Sequence, residues 1–153
     1  MLYFFHMTIR EITLADYNVL IPFWEENYFA NEMDNQDRFQ LFLDMNPSMS
    51  FLAEEDGHII GSALGSFDGR RGYLQKIVVD KKMRRQGIGQ ELVKIIISKL
   101  RSLGCTYITL NVDEKLISFY EQCGFKKIPQ RAMNMSLSDD GKYQEFLKKQ
   151  NSH

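Results

Sequence analysis

Residues 77 to 90 decide the fold, and they read Ile77-Val-Val-Asp-Lys-Lys-Met-Arg-Arg-Gln-Gly-Ile-Gly-Gln90. The β-branched run at the start is typical of a buried strand. Gly87 and Gly89 then open a segment in which apolar residues recur at helical spacing, up to about Leu103 and a terminating Gly104. A strand that passes through a glycine-bearing loop into a helix leaves the first-turn amides free for an anion. The stretch therefore predicts a phosphate or pyrophosphate site.

The same loop is basic, and the motifs that the chain lacks restrict the class of phosphate-bearing ligand. Arg84 and Arg85 add side-chain donors that stay charged at any working pH. The chain contains neither the GxxxxGK[ST] pattern of P-loop nucleotide hydrolases nor GxGxxG with an acidic residue about 20 positions later. The predicted ligand carries phosphate but is neither ATP nor NAD.

The remaining elements are predicted from period and turn signals. Upstream, we expect a strand and then a helix with its N-cap at Thr13. Pro22 should bend or break this helix. A second helix and a three-stranded meander around Asp56-Gly57 follow. Downstream, we expect a strand, a short helix, two more strands and a polar tail with a short helix. The predicted ranges are strands 7–12, 50–54, 58–67, 72–79, 105–112, one from 124 and 131–137, and helices 13–24, 36–45, 87–103, 115–123 and 143–149.

This order of elements predicts one α/β (α+β) domain around one mixed sheet. Its length of 153 residues suits a single core without disulfides or a metal. We assign residues 1–6 to an N-terminal extension, 7–138 to the domain and 139–153 to the tail.

Composition excludes several classes of partner. The net charge is −1, so no global field attracts nucleic acid or anionic lipid. The apolar start has no signal-peptide pattern, and no window reaches the roughly 20 apolar residues of a membrane span. Cys105 and Cys123 lack metal-ligand spacing. These features favour a cytoplasmic protein with reduced thiols, no metal, no nucleic-acid partner and no membrane association.

Two motifs in order carry a family resemblance. Arg84-Arg-Gln-Gly-Ile-Gly89 matches [Q/R]xxGx[G/A], and Ser118-Phe-Tyr-Glu-Gln-Cys-Gly-Phe125 is similar to the second signature of the same family. The chain resembles the GNAT superfamily of N-acetyltransferases, and most of all its small bacterial YpeA-like members. The resemblance implies a mostly antiparallel sheet of six to seven strands, about four helices, and a V-shaped splay between the two central strands.

The resemblance also implies a co-substrate and a set of site residues. Acetyl-CoA would pair its pantetheine arm with the strand and place its pyrophosphate on the loop amides. Tyr120 would be the general acid for the departing thiolate, and the backbone amide of Val79 would donate to the oxyanion. The implied coenzyme-A-binding residues are Ile77, Val78, Val79, Arg84, Arg85, Gln86, Gly87, Ile88, Gly89, Gln90, Asn111 and Tyr120.

The resemblance further implies that the acceptor is a small-molecule or peptide amine, which attacks directly in a ternary complex. Trp24, Tyr28 and Phe29 form a candidate aromatic pocket for it. An amine needs a base or a water path at neutral pH. Asn111 stands where related peptide-N-terminal acetyltransferases often carry a glutamate, and the remaining candidates for the base are Asp113, Glu114, Glu25, Glu26 and Asp34.

Three alternatives stay open. The domain could bind acyl-CoA without turnover, as a regulatory module. Within the enzyme class, the acceptor could be a protein N-terminus or lysine. An RNA-binding α+β domain would need basic and aromatic residues interleaved on an exposed sheet, whereas the basic residues here cluster in one loop.

The chain could be a monomer or a homodimer.

Overall fold

The computed structural model describes residues 6–137, 141, 145 and 147–149, and the described chain is built on one five-stranded sheet. The strand order is β1-β2-β3-β4-β5, with the first three pairings antiparallel and the last parallel. The strands are β1 (Met7–Glu11), β2 (Ser50–Glu55), β3 (His58–Phe67), β4 (Gly72–Val79) and β5 (Ile108–Thr109), and the helices are α1 (Tyr17–Asn27), α2 (Gln36–Met45), α3 (Ile88–Ser102) and α4 (Ile117–Gln122). Single 3₁₀ turns cover Leu14–Asp16, Glu32–Asp34, Lys81–Met83 and Glu114–Leu116.

The meander is confirmed with its turn chemistry. Asp56 and Gly57 have φ of 50° and 76°, the two positive values that suit the tight turn of a hairpin. The turn joins β2 to β3 with Glu55 opposite His58. The local sequence thus sets the register of the central strands.

β4 carries a bulge in its second half. Leu64 pairs with Gln75 and Ser62 with Val78, so two residues, Lys76 and Ile77, lie opposite a single residue of β3. Lys76 has φ of 48°, a left-handed value that is strained for a lysine. Such bulges bend a strand and re-aim side chains.

β4 and β5 pair only at their first residues. Gly72 lies opposite Ile108 and Tyr73 opposite Thr109, and the described chain continues without further pairing between these strands. In the described chain, β4 therefore has no paired strand on this side toward the end that leads into α3. The V-shaped splay stays a prediction.

Helices cover both faces of the sheet. α3 packs on one face through its buried stripe, which includes Leu92, Ile96 and Leu100. On the other face, Leu20 and Trp24 of α1 pack with residues of α2, β2, β3 and β4. Successive strand residues point to opposite faces, so each helix layer receives its own half of the sheet.

The number of strands predicted from the sequence is wrong. Residues 125–137 contain no strand, so the described sheet has five strands and not six or seven. Met133, Met135 and Leu137 alternate as a strand would, yet they are 93%, 82% and 91% exposed. Alternation marks a segment that can form a strand, but a strand also needs a partner edge, and this segment has none in the described chain.

The predicted helices agree with the structure apart from their ends. α2 and α3 are confirmed, and α1 runs through Pro22 without a break. Part of the predicted helix 115–123 is a 3₁₀ turn before α4. Of the predicted helix 143–149, residues 145 and 147–149 are described and are helical, whereas 143, 144 and 146 lie outside the described residues. The extension 1–6 also lies outside them, apart from His6.

Candidate functional site

The loop between β4 and α3 leads into a helix whose first amides have no partner within the helix. Arg85 and Gly87 have φ of 64° and 84°, and Gly87 caps α3 in the left-handed conformation without a side-chain hydrogen bond. The first i to i−4 bond of the helix runs from the Glu91 amide to the Gly87 carbonyl. The preceding amides of Ile88, Gly89 and Gln90 thus have no partner within the helix. Alternating left-handed residues before a helix N-terminus make an anion-binding nest, which fits a pyrophosphate.

Gly89 serves a different purpose from the one that the sequence suggests. A Cβ at this position would lie 3.0 Å from the Cζ of Phe119 and 3.5 Å from a methyl of Val79. The Phe119 ring therefore occupies the space that a side chain at residue 89 would need, and this contact brings α4 against the start of α3. Gly87, through its positive φ, is the glycine that the nest itself requires.

Arg84 binds groups of the chain itself. Its Nε donates to the Val79 carbonyl at 3.2 Å, and a terminal nitrogen donates to the Asn27 carbonyl at 2.9 Å. The buried Asn27 side chain accepts from the Lys81 amide at 2.9 Å and donates to the Phe23 carbonyl at 2.9 Å. These bonds tie the end of α1 to the nest loop.

Val79 presents its backbone to the gap between β4 and β5. The Asp80 amide donates to the Ile60 carbonyl at 2.9 Å, and Val79 lies opposite Gly61. Opposed residues in antiparallel strands alternate between hydrogen-bonded and non-bonded pairs, so Val79 falls at a non-bonded position. Its N–H and C=O point away from β3, which agrees with the bond from Arg84 to its carbonyl.

The other residues that the sequence predicts to bind the cofactor differ in burial and in hydrogen bonding. Val78 is core, Ile77 is half-buried at the bulge, and Asn111 is exposed beyond β5. Gln90 donates to the side chain of Gln122 at 2.9 Å, a second link between α3 and α4. The Oε1 atom of Gln86 is buried with no hydrogen-bond partner.

Tyr120 lies on α4 between two aromatic rings. Its ring centroid is 4.9 Å from that of Phe119 and 5.9 Å from that of Phe125, both edge-on. Burial raises the pKa of the Tyr120 phenol to about 12, with smaller contributions from Cys123 and Tyr28. The phenol is therefore neutral at any physiological pH and carries a proton that it can donate.

Trp24, Tyr28 and Phe29 do surround an ammonium group, but it belongs to Lys76. The Lys76 Nζ lies 4.3 Å from the Phe29 centroid, 5.0 Å from that of Trp24 and 5.8 Å from that of Tyr28. It donates to the Phe29 carbonyl at 2.7 Å and pairs with Asp34 at 3.0 Å. Burial lowers the pKa of Lys76, and Asp34 opposes that shift. We call this group of three rings and Asp34 the lysine cage.

The carboxylates considered for the base differ in their surroundings. Asp34 is bound to Lys76 and also accepts from the Asn31 amide at 2.8 Å. Glu25, Glu26 and Glu114 are exposed. Asp113 caps the turn before α4 and raises the pKa of Tyr28, after the larger effect of burial. Asp113 is thus the candidate carboxylate whose charge acts toward Tyr28.

Sequence reasoning missed Lys76 and Asn27. The available signal for Lys76 was a single lysine inside the apolar run of β4, directly before Ile77. For the second, Asn27 follows Phe23 and Trp24 at helical spacing on a face that is otherwise apolar. The Asn27 side chain joins the end of α1 to the nest loop, and the Lys76 side chain joins the β4 bulge to Phe29 and Asp34.

Two features are absent from the residues that the structure describes. No three or more His, Cys, Asp or Glu side chains in them are grouped to hold a metal ion. None of their helices is long and apolar enough to cross a membrane.

Comparison with known proteins gives a consistent result. Residues 13–125 match the family model described as the acetyltransferase (GNAT) family. An acetyltransferase of Pectobacterium atrosepticum is 28% identical over 141 residues, which cover 90% of this chain and all of the relative. N-alpha-acetyltransferase 30 of Dictyostelium discoideum is 36% identical over 97 residues, covering 59% of this chain and 52% of that protein.

Solved structures share the fold. The crystal structure of an acetyltransferase of Clostridium acetobutylicum with acetyl-CoA superposes with a TM-score of 0.68 at 17% identity. The match covers 86% of this chain and 96% of that one.

Proposed function

Because the chain belongs to the acetyltransferase (GNAT) family, whose members use acetyl-CoA, we propose that it transfers the acetyl group to a primary amine by direct attack in a ternary complex. The observation that carries the proposal is the nest of uncapped amides around Gly87, which lies at the open end of the gap between β4 and β5. Tyr120 supports it as a buried, neutral phenol on the neighbouring helix.

In this proposal each group has one task. The amides of residues 85 to 90 hold the pyrophosphate, and the backbone of Ile77 and Val79 aligns the pantetheine arm. The Val79 amide donates to the thioester oxygen as the carbonyl becomes tetrahedral. Acetyl-CoA supplies the activated acetyl group.

Proton transfer completes the reaction. The neutral amine forms the C–N bond, the C–S bond breaks, and Tyr120 gives its proton to the departing sulfur. The nitrogen then loses one proton as it becomes an amide, and this proton restores the Tyr120 phenol. An alkylamine is neutral in only about one molecule in a thousand at pH 7, so a base or water path must take its proton. We propose Asp113, acting on the Tyr28 side of the site, as the first carboxylate to test.

A peptide N-terminus is the second candidate acceptor. The similarity to an N-alpha-acetyltransferase of Dictyostelium discoideum favours it over other amines. It is distinguished from small amines by comparing peptides with free and blocked N-termini, both lacking lysine. Turnover that needs the free N-terminus supports this acceptor, and equal turnover of simple amines contradicts it.

The cofactor assignment is tested by two matched glycine variants. Gly87 and Gly104 both have φ of 84° and flank the two ends of α3, so Gly87→Glu and Gly104→Glu impose the same backbone strain. Only the first places a carboxylate at the nest. We expect Gly87→Glu to weaken acetyl-CoA binding at least about 100-fold, through lost amide contacts and charge repulsion, while Gly104→Glu binds as the wild type does.

Calorimetric titration with acetyl-CoA measures this effect, and unchanged affinity in Gly87→Glu would remove the assignment. A thiol-release assay with polyamines, aminoglycosides, amino acids and peptides then tests turnover. Tight acetyl-CoA binding without thiol release from any acceptor would favour the binding-module alternative.

A further inference from the structure

Lys76 occupies the place that the sequence assigns to the acceptor. Its side chain is 10% exposed, and its donors meet a carbonyl and a carboxylate. Three aromatic rings enclose the same nitrogen within 5.8 Å. A carboxylate with aromatic faces is the arrangement that binds an alkylammonium ion.

The geometry of the strand holds this lysine in place. Lys76 is the left-handed residue of the β4 bulge, and its carbonyl accepts from the Ser62 hydroxyl at 3.0 Å. That hydroxyl accepts from the Trp24 indole N–H at 2.9 Å. The main chain of Lys76 and one wall of the cage are thus bonded to the same serine, so the lysine is directed into the cage from within the sheet.

We propose that Lys76 is a specificity-determining residue of the acetyltransferase: its own ammonium fills the lysine cage and so denies it to any cationic group of the acceptor. The inference rests on the proposed function, and it names the acceptor class. The expected acceptor is an amine that has no second cationic group to place in the cage. Polyamines, which have such a group, are therefore disfavoured as acceptors. Lys76 also fixes the segment from Phe29 to Asp34 beside the site through the two bonds that it donates.

The test empties the cage and refills it. Lys76→Ala removes three carbons and the ammonium, and n-propylammonium replaces those same atoms; 1-propanol has the same size without charge. Lys76→Met is the matched control, since it fills the cage without charge. Trp24 is the only tryptophan of the chain and forms one wall, so its fluorescence reports occupancy without any acetyl transfer.

We expect n-propylammonium and spermidine to change Trp24 fluorescence saturably in Lys76→Ala, and not in the wild type or Lys76→Met. The affinity for n-propylammonium should exceed that for 1-propanol at least about tenfold, since the cation interacts with the rings and Asp34. Equal binding of both probes, no response in Lys76→Ala, or the same response in the wild type would overturn the proposal. If Lys76→Ala cannot be purified, Lys76→Gly, which suits a φ of 48°, takes its place.

A kinetic arm separates positioning from a general effect on stability. With an acceptor found in the thiol-release panel, Lys76→Ala should show a raised acceptor KM and an unchanged acetyl-CoA KM, and n-propylammonium should restore the acceptor KM. Equal changes in both KM values would contradict the positioning role. If no acceptor is found, the proposed function fails, while the fluorescence titration still decides whether Lys76 closes the cage.

Discussion

At the scale of single residues, the candidate site depends on two groups held away from water. Tyr120 keeps its proton because burial disfavours the phenolate. Lys76 keeps its place because a carboxylate, a carbonyl and three rings surround it. We propose that Tyr120 acts as the acid and that Lys76 keeps other cations out of the lysine cage.

Tyr120→Phe removes the proposed acid and little else. We expect kcat to fall by about 100-fold, because the sulfur must then leave without a proton, while acetyl-CoA affinity is unchanged. Thiol release and acetyl-CoA titration measure the two quantities. Tyr107→Phe, an exposed tyrosine beside Arg71, is the control and should keep wild-type turnover. Wild-type kcat in Tyr120→Phe would eliminate this acid.

The pKa of Tyr120 also predicts a pH profile. The acid form is the protonated phenol, and its pKa is raised to about 12, so the proton is retained as pH rises through the ordinary tyrosine value near 10. We expect kcat to show no decline assignable to Tyr120 below about pH 10. An alkaline limb near pH 10 that disappears in Tyr120→Phe would contradict the burial of this phenol.

At the scale of elements, α3 and α4 meet at a contact that permits no side chain. Phe119 fills the space above Gly89, and the next residue is Tyr120. Gln90 and Gln122 add a hydrogen bond between the same helices. The position of the proposed acid thus depends on how closely two helices pack.

Gly89→Ala tests this contact. The added methyl lies 3.0 Å from the Phe119 ring, so the ring and α4 must shift. We expect a loss of about 1–3 kcal/mol in the free energy of unfolding and a lower kcat. Urea unfolding and thiol release measure both effects.

A double-mutant cycle identifies the partner. Phe119→Leu shortens the side chain that the methyl meets, and the double variant should recover about 0.5–3 kcal/mol relative to additivity. Additive effects would mean that Gly89→Ala acts through something other than Phe119.

At the scale of the whole molecule, one arginine joins the first strand to two other segments. Arg10 of β1 bonds Asp16 at 2.6 Å and Glu54 of β2 at 2.7 Å. The Arg10 guanidinium holds the pKa of Asp16 below its usual range. A lowered pKa in the folded state stabilises the protein above the unfolded value, near 4, and the stabilisation is lost as pH falls below it.

Asp16→Asn should therefore lower stability at pH 7 and have less effect in acid. Because Arg10 is 42% exposed, we expect about 1 kcal/mol or less at pH 7 and a smaller difference at about pH 2. Urea unfolding at both pH values measures the difference. Asp44→Asn, at an exposed position of α2, is the control. A loss that is the same at both pH values would exclude the ion pair as its cause.

The sequence by itself determined β2, β3, β4, α2, α3 and the glycine that begins α3. Each depends on a local pattern: a period, a turn with positive φ, or a glycine before a helix. The family followed from two motifs that lie within these local elements, Arg84 to Gly89 and Ser118 to Phe125.

Only the tertiary structure decided what occupies the acceptor side and where the sheet ends. Lys76 reaches the Phe29 carbonyl 47 residues away, and Arg84 reaches Asn27 across 57. No local pattern encodes such contacts, because they depend on how α1 packs beside the β4 bulge. Residues 131–137 have the pattern of a strand but no partner edge in the described chain, since pairing depends on neighbours in space and not on periodicity.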